Sequence, residues 1–133
     1  MISHSVRAGI GKHSIEAVAL LCGGDLSVTI CGGETWHIGA AALAAPRPSL
    51  KDPEEVSASA SVICLVGHKE DEVARHAALE LATTFSCNVN VAVGIHVDNA
   101  TKADLAQLWE NYKVALNLLK EKLRKHQYQH PNP

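Results

Sequence analysis

Two apolar runs in the second half of this chain end in nearly the same text, and each turns at once into a helical pattern. The first is Cys64-Leu-Val-Gly-His-Lys-Glu-Asp and the second Val91-Ala-Val-Gly-Ile-His-Val-Asp-Asn. A strand, a helix, a strand and a second helix in that order demand a crossover connection, because two strands joined through a helix cannot pair as a tight hairpin. Whatever precedes them must build onto a sheet that already contains that unit.

The helices are legible from their periodicity. Lys69 to Phe85 sets Val73, Ala77, Leu81 and Phe85 at successive i+4 positions, with Ala74 and Ala78 beside them, an apolar stripe of helical pitch. Glu70, Asp71 and Glu72 fall in its first turn, where the helix dipole favours negative charge. From Thr101 to His126 a longer helix carries Leu105, Leu108, Tyr112, Ala115, Leu119 and Leu123 on one side. Thr101 and Asp104 have the spacing of a capping box, and Asp98 or Asn99 offers an alternative cap.

The first half reads as strands. Ser14–Leu21 and Asp25–Cys31 are β-rich runs joined through Gly23-Gly24, a hairpin signature. Trp36–Ala44, bounded by glycine and proline, is expected to be a third strand, and Ala45–Glu55, with three prolines, an exposed connection. Val56–Val66 alternates small polar with apolar residues and ends fully apolar, as a strand does when it becomes buried toward its end. The expected class is therefore α+β: two layers, a mixed sheet of about five strands in the order β-β-β-β-α-β-α, and two helices packed on one face. The other face is left half exposed unless a second copy of the chain, a homodimer, covers it. A length of 133 residues suits one domain spanning 1–133, with 1–12 and 127–133 as poorly ordered termini.

Composition removes several function classes. The net charge is −2 with His neutral, and no Lys/Arg stripe precedes the end of the last helix, so a nucleic-acid backbone is not the expected partner. Apolar runs break well before the roughly 20 residues of a membrane span, and no secretion signal opens the chain; a cytoplasmic location is expected, with no membrane partner. Cys22, Cys31, Cys64 and Cys87 include no C-x-x-C pair and sit in or beside apolar runs, the setting of buried reduced thiols rather than of a disulfide framework.

Chemistry concentrates where the matching runs end. Ligands of such sheets sit beyond the carboxyl ends of strands, where glycine admits close backbone approach and helix starts aim N–H groups outward. Gly67 and Gly94 occupy those places. His68 and Lys69 add donors and a cation to one turn, and His96, Asp98 and Asn99 add donors and acceptors to the other, an inventory that suits a small anion such as phosphate. Read singly, each is as well explained as a cap or a surface imidazole; together they describe a site. His37, in Trp36-His37-Ile38-Gly39, reaches the same end of the sheet if its strand lies antiparallel to and beside the next one. Three histidines, His37, His68 and His96, also permit a metal-dependent lyase or hydrolase, although no metal-ligand spacing links them. His126 and His130 read as solvated.

In this order and over nearly the whole chain, Trp36-His37-Ile38-Gly39-Ala40, Gly67-His68-Lys69-Glu70-Asp71 and Gly94-Ile95-His96-Val97-Asp98-Asn99-Ala100-Thr101 resemble the LpdD-like prenylated flavin chaperones. These are the small D-type proteins encoded with hydroxybenzoate, gallate and vanillate decarboxylases. The resemblance implies a noncatalytic accessory protein that binds prenylated FMN (or FMN). It further implies a flavin prenyltransferase as the source of that cofactor and the large subunit of a UbiD-type decarboxylase as its destination. Carried over by position, the ligand contacts would be His37, Gly39, Gly67, His68, Lys69, Gly94, His96, Asp98 and Asn99, with no catalytic residue and no metal ligand. Trp36 is the aromatic residue the resemblance offers for stacking on the flavin. A purely structural interaction subunit is the remaining alternative.

Overall fold

The structure is a computed structural model and describes residues 1–65 and 70–129, the last two by backbone alone. The strands are β1 (Ser3–Ala8), β2 (Ile15–Cys22), β3 (Asp25–Gly33), β4 (Ala40–Pro48), β5 (Val56–Cys64) and β6 (Val89–His96); the helices are α1 (Asp71–Phe85) and α2 (Lys102–Gln129). They form one six-stranded sheet in the order β1-β2-β3-β6-β4-β5. The mixed-sheet α+β class is as expected, with one strand more. That strand, β1, comes from the segment read as a loose terminus, and it runs antiparallel to β2 with Val6 opposite Ala17. Its sequence, SHSVRA, carries too few apolar residues to announce a strand; pairing with an already formed hairpin supplies what its own pattern lacks.

β1, β2 and β3 make an antiparallel meander, and β4 and β5 a second antiparallel pair. β6 joins the two halves by running parallel to β3 and antiparallel to β4. The consequence for the site is directional. β3, β5 and β6 all finish at one end of the sheet, β4 starts there, and both helices begin there.

Both helices lie on one face, α1 against β4, β5 and β6 and α2 against β1 and β2. The core between the layers is built from Ile15, Ala17, Ala19, Val28, Ile30, Ala42, Ala44, Val89, Val91 and Val93 on the strands and Ala74, Ala77, Ala78, Leu81, Tyr112, Ala115 and Leu119 on the helices, all buried. Eleven of the buried core residues are alanines, nearly half of the set, so the helices sit close to the sheet. The α1 stripe is as read from the sequence. On α2, Leu108, Tyr112, Ala115, Leu119 and Leu123 are buried but Leu105 is 58% exposed, and the helix continues through Gln127–Gln129, where a frayed tail was expected.

Three further expectations are corrected. The third strand begins at Ala40 rather than Trp36 and extends through Pro46 and Pro48. Pairing with β6 stops at Ala44 opposite Val89, and beyond it only β5 flanks β4, so prolines are tolerated on what is locally an edge. β5 does not become buried toward its end; Ile63 is 74% and Leu65 53% exposed, because β5 is the edge strand and these residues face away from the helices. Cys64 and Cys22 are also exposed, while Cys31 and Cys87 are partly buried, and among the described residues none of the four forms a disulfide. No helix among the described residues is long and apolar enough to cross a membrane.

Candidate functional site

The residues at the shared end of the sheet are locked together by backbone as well as side chains. The segment after β3 folds back over β6: the His96 carbonyl accepts from Glu34 N–H at 2.7 Å and Thr35 N–H at 3.3 Å, and the Gly39 N–H donates to Val93 O at 2.8 Å. Glycine is required twice. A side chain on Gly94 would overlap the His37 carbonyl oxygen, and one on Gly39 would overlap the Glu70 carboxylate. Gly39 and Gly94 therefore act as packing glycines that let the loop sit flat, and Gly94 lies within β6, not in the turn after it.

His37 is held at the centre. Its Nε2 lies 2.8 Å from Glu70 Oε1, and its Nδ1 lies 3.3 Å from Thr35 O. Glu70 is only 8% exposed and its backbone carbonyl receives the Ala74 N–H that opens α1. Its carboxylate turns inward to the imidazole rather than lying along the helix surface. The rings of His37 and His96 lie 6.3 Å apart, edge to face. His96 is itself paired with Asp98 at 2.8 Å, and both are well exposed. Asp98 N–H donates to Glu34 Oε1, and Asn99 takes the left-handed backbone conformation, φ 49°, that turns the chain into α2.

Gly67, His68 and Lys69 lie outside the described residues, but both flanks of that segment end in the site. Leu65 N–H donates to Gly39 O at 2.8 Å, and Glu70 meets His37. The structure thus brings together His37, Gly39, Glu70, Gly94 and His96, from three separate stretches of sequence, and places Asp98 and Asn99 at the outer rim.

Beside them a cavity of about 310 Å³ opens between α1, the end of β6 and the start of α2, lined by Glu70, Val73, Ile95, His96, Val97, Ala100, Leu105, Leu108, Trp109 and Tyr112. Its aromatic wall is ordered. Trp109 and Tyr112 have ring centroids 5.1 Å apart, and His76 from α1 packs on both at 5.5 and 5.7 Å. The Tyr112 hydroxyl and His76 Nδ1 are 2.7 Å apart, and His76 Nε2 faces Glu80 at 3.7 Å, which in turn accepts from Lys120. Burial, with the nearby Glu80 charge, pushes the Tyr112 phenol well above its ordinary pKa, so it stays a neutral hydrogen-bonding group. The Lys120 hydrogen bond holds the Glu80 carboxyl below its ordinary pKa.

Sequence reasoning missed this wall. It looked to Trp36, which is 49% exposed and does not line the cavity. Trp109 and Tyr112 were visible as an i, i+3 aromatic pair one residue beyond Leu108 on the long helix, but nothing in the text shows which part of a helix face roofs a hollow rather than filling a core.

At the start of α2 the first backbone donors are already engaged. Asp104 N–H donates to Thr101 Oγ1 and Thr101 N–H to Asp104 Oδ2, both at 3.0 Å. This is the capping box read from the sequence, and it uses up donors that a ligand would otherwise meet at α2. A metal reading requires His37, His68 and His96 about one point; His37 and His96 each face a carboxylate, and no group of three or more metal-ligating side chains is present among the described residues.

The fold and site define a two-layer α+β protein with an aromatic-walled hollow at the carboxyl ends of its strands. The same fold is seen in a solved chain from a structure described as the crystal structure of a novel chaperone complex for yeast 20S proteasome assembly. That chain is 17% identical, with a TM-score of 0.53 over 92% of this chain and 99% of its own; at this identity the likeness is one of fold. Comparison with curated proteins gave no match. Residues 9–124 match the family of the prenylated flavin chaperone LpdD-like domain, and the chain belongs to that family.

Proposed function

We propose that this chain is a noncatalytic, single-domain carrier of prenylated FMN, acting in the cytoplasm between a flavin prenyltransferase and the large subunit of a UbiD-type decarboxylase, with a second copy of itself as a further partner. The observation that carries the reading is the cavity between α1, β6 and α2. At about 310 Å³ it lies at the small end of ligand pockets, suited to the planar ring body of a flavin rather than to a whole nucleotide. Trp109 and Tyr112 offer a rigid face for that ring, and Val73, Val97, Leu105 and Leu108 an apolar lining for the added prenyl carbons.

The phosphate end belongs outside the hollow. Lys69 and His68, next in sequence to Glu70, and His96 at the rim are the donors assigned to it, with Asp98 and Asn99 completing the rim. His37, Gly39 and Gly94 act one step back, fixing the loop on which the rim rests. A carrier of this kind holds the ring, excludes water from it and lets it go; the chemistry of the bound group belongs to the decarboxylase.

The test is a titration with FMN and with reduced prenylated FMN, read by Trp109 fluorescence in a Trp36→Phe background. Quenching on binding is expected, with His68→Ala and His96→Ala each weakening affinity about tenfold, on the order of one charge-assisted hydrogen bond. Affinity unchanged in both variants would move the site elsewhere.

A further inference from the structure

The two helices lie on different strands, and a seam runs between them. α1 packs on β4, β5 and β6 and α2 on β1 and β2, with the Glu80–Lys120 and His76–Tyr112 pairs bridging from one helix to the other. The hollow beside His96 is one end of this seam. At the opposite end, where both helices finish, a separate cavity of about 170 Å³ opens beside the Gly23-Gly24 turn. Leu21, Leu26, Phe85 and Leu123 give it apolar walls, and His126 and Gln127 of α2 add polar side chains. Cys87, whose thiol is kept neutral by burial and the Asp25 charge, brings no charge to the lining. Asp25 is itself engaged, accepting the Asn88 N–H at 2.9 Å.

The α2 side of this cavity is cationic. Lys122 stands four residues before His126 and Arg124 three before Gln127, spacings that set side chains on one side of a helix. Lys122 Nζ donates to Ser5 O at 2.7 Å, and among the described residues no carboxylate pairs with Lys122 or Arg124. The positive charge is felt locally. The His4 ring lies 5.0 Å from that of His126, edge to face, and burial first, then the His126 and Lys122 charges, hold His4 below its ordinary pKa. Free carbonyls at a helix end favour such cations, but they do not account for a cavity of ring size next to them.

We propose that this cavity is a second ligand site, for a small acid made of one ring and one carboxylate. The ring sits among Leu21, Leu26, Phe85 and Leu123, and the carboxylate faces Lys122, Arg124 and His126. Size sets the ring: an apolar cavity of about 150 Å³ holds one benzene, so 170 Å³ admits one ring and excludes a flavin. Charge sets the other group, because a carboxylate gains charge-assisted hydrogen bonds from Lys and Arg side chains that no acid of the described residues neutralises. The site goes beyond the carrier function and does not rest on it.

Calorimetric titration of the full chain with phenylacetate is expected to show saturable one-to-one binding. It should be at least about tenfold tighter than benzyl alcohol, which keeps the ring, or acetate, which keeps the charge. Arg124→Glu, at an exposed position of α2, should weaken phenylacetate about tenfold, and Leu21→Trp, which fills the cavity, should abolish binding. Saturating FMN should leave the phenylacetate affinity unchanged, since the two cavities are at opposite ends of the seam. Absence of binding, an equal affinity for either control compound, an affinity kept in Arg124→Glu, or displacement by FMN would overturn the proposal. Should far-UV circular dichroism show Leu21→Trp unfolded, Arg124→Glu and the FMN competition decide the matter.

Discussion

At the scale of single residues, Gly94 and His37 depend on each other. The His37 carbonyl occupies the space a side chain at position 94 would fill, so Gly94→Ala must lift the whole segment that carries His37 off β6. Backbone cannot yield as a flexible side chain does, and a cost of at least about 2 kcal/mol is expected, seen as a fall in Tm on the order of 10 °C. The thiols give a second measurement at this scale. Burial, assisted by the Asp25 charge, pushes the Cys87 thiol up to about 11, and burial likewise raises Cys31. Thiolate is the reactive form, so alkylation of the native protein at pH 8 should modify exposed Cys22 and Cys64 first and leave Cys31 and Cys87 until the chain unfolds. Mass spectrometry of a time course decides it.

At the scale of elements, the start of α2 is the best-defined junction. Asp104 accepts the Thr101 N–H, faces His13 Nε2 at 2.8 Å and Lys12 Nζ at 3.3 Å, and so ties the turn between β1 and β2 to the helix. The Thr101 N–H first, then His13 and Lys12, hold the Asp104 carboxyl far below its ordinary pKa. A depressed carboxyl stabilises the fold fully above its unfolded value and loses that contribution as pH falls below about 4. Urea midpoints between pH 3 and 6 should therefore drop with acid in the wild type and drop less in Asp104→Asn. Thr101→Ala, which removes the other half of the box, should cost about 1 kcal/mol.

This box was legible because it is local: residues three apart in sequence meet at a helix start whatever the rest of the chain does. The α1 stripe and the first hairpin were legible for the same reason. β1 was not, since its partner and not its own pattern makes it a strand; nor was the aromatic wall, since Trp109 and Tyr112 face a hollow only because the start of α1 brings Glu70 and Val73 to line it with them. That His37 reaches the end of the sheet where β5 finishes was foreseen on the condition that its strand lies antiparallel beside the next one, and that pairing is present; its meeting with Glu70 and His96 was not foreseen. What the text could not supply was the inward turn of Glu70, which depends on Gly39 leaving room for a carboxylate.

For the molecule as a whole, the position of β6 governs how the parts can come together. It is the last strand in sequence yet lies fourth of six across the sheet, between β3 and β4. Until residues 89–96 are available, the three-stranded meander and the β4–β5 pair have nothing to join them, and each presents an unpaired edge where β6 will insert. Contacts of such long sequence separation form late and slowly, and open strand edges are where nascent chains aggregate. A chain cut after Phe85 should therefore be insoluble or collapse into two unlinked pieces with no cooperative melt, whereas removal of 127–133 should leave the transition in place. The hollow shares that fate. Its floor is the end of β6 and its roof the first turns of α2, so on the function proposed above a partly made protein would have no place to hold a flavin until the final quarter of the chain had emerged.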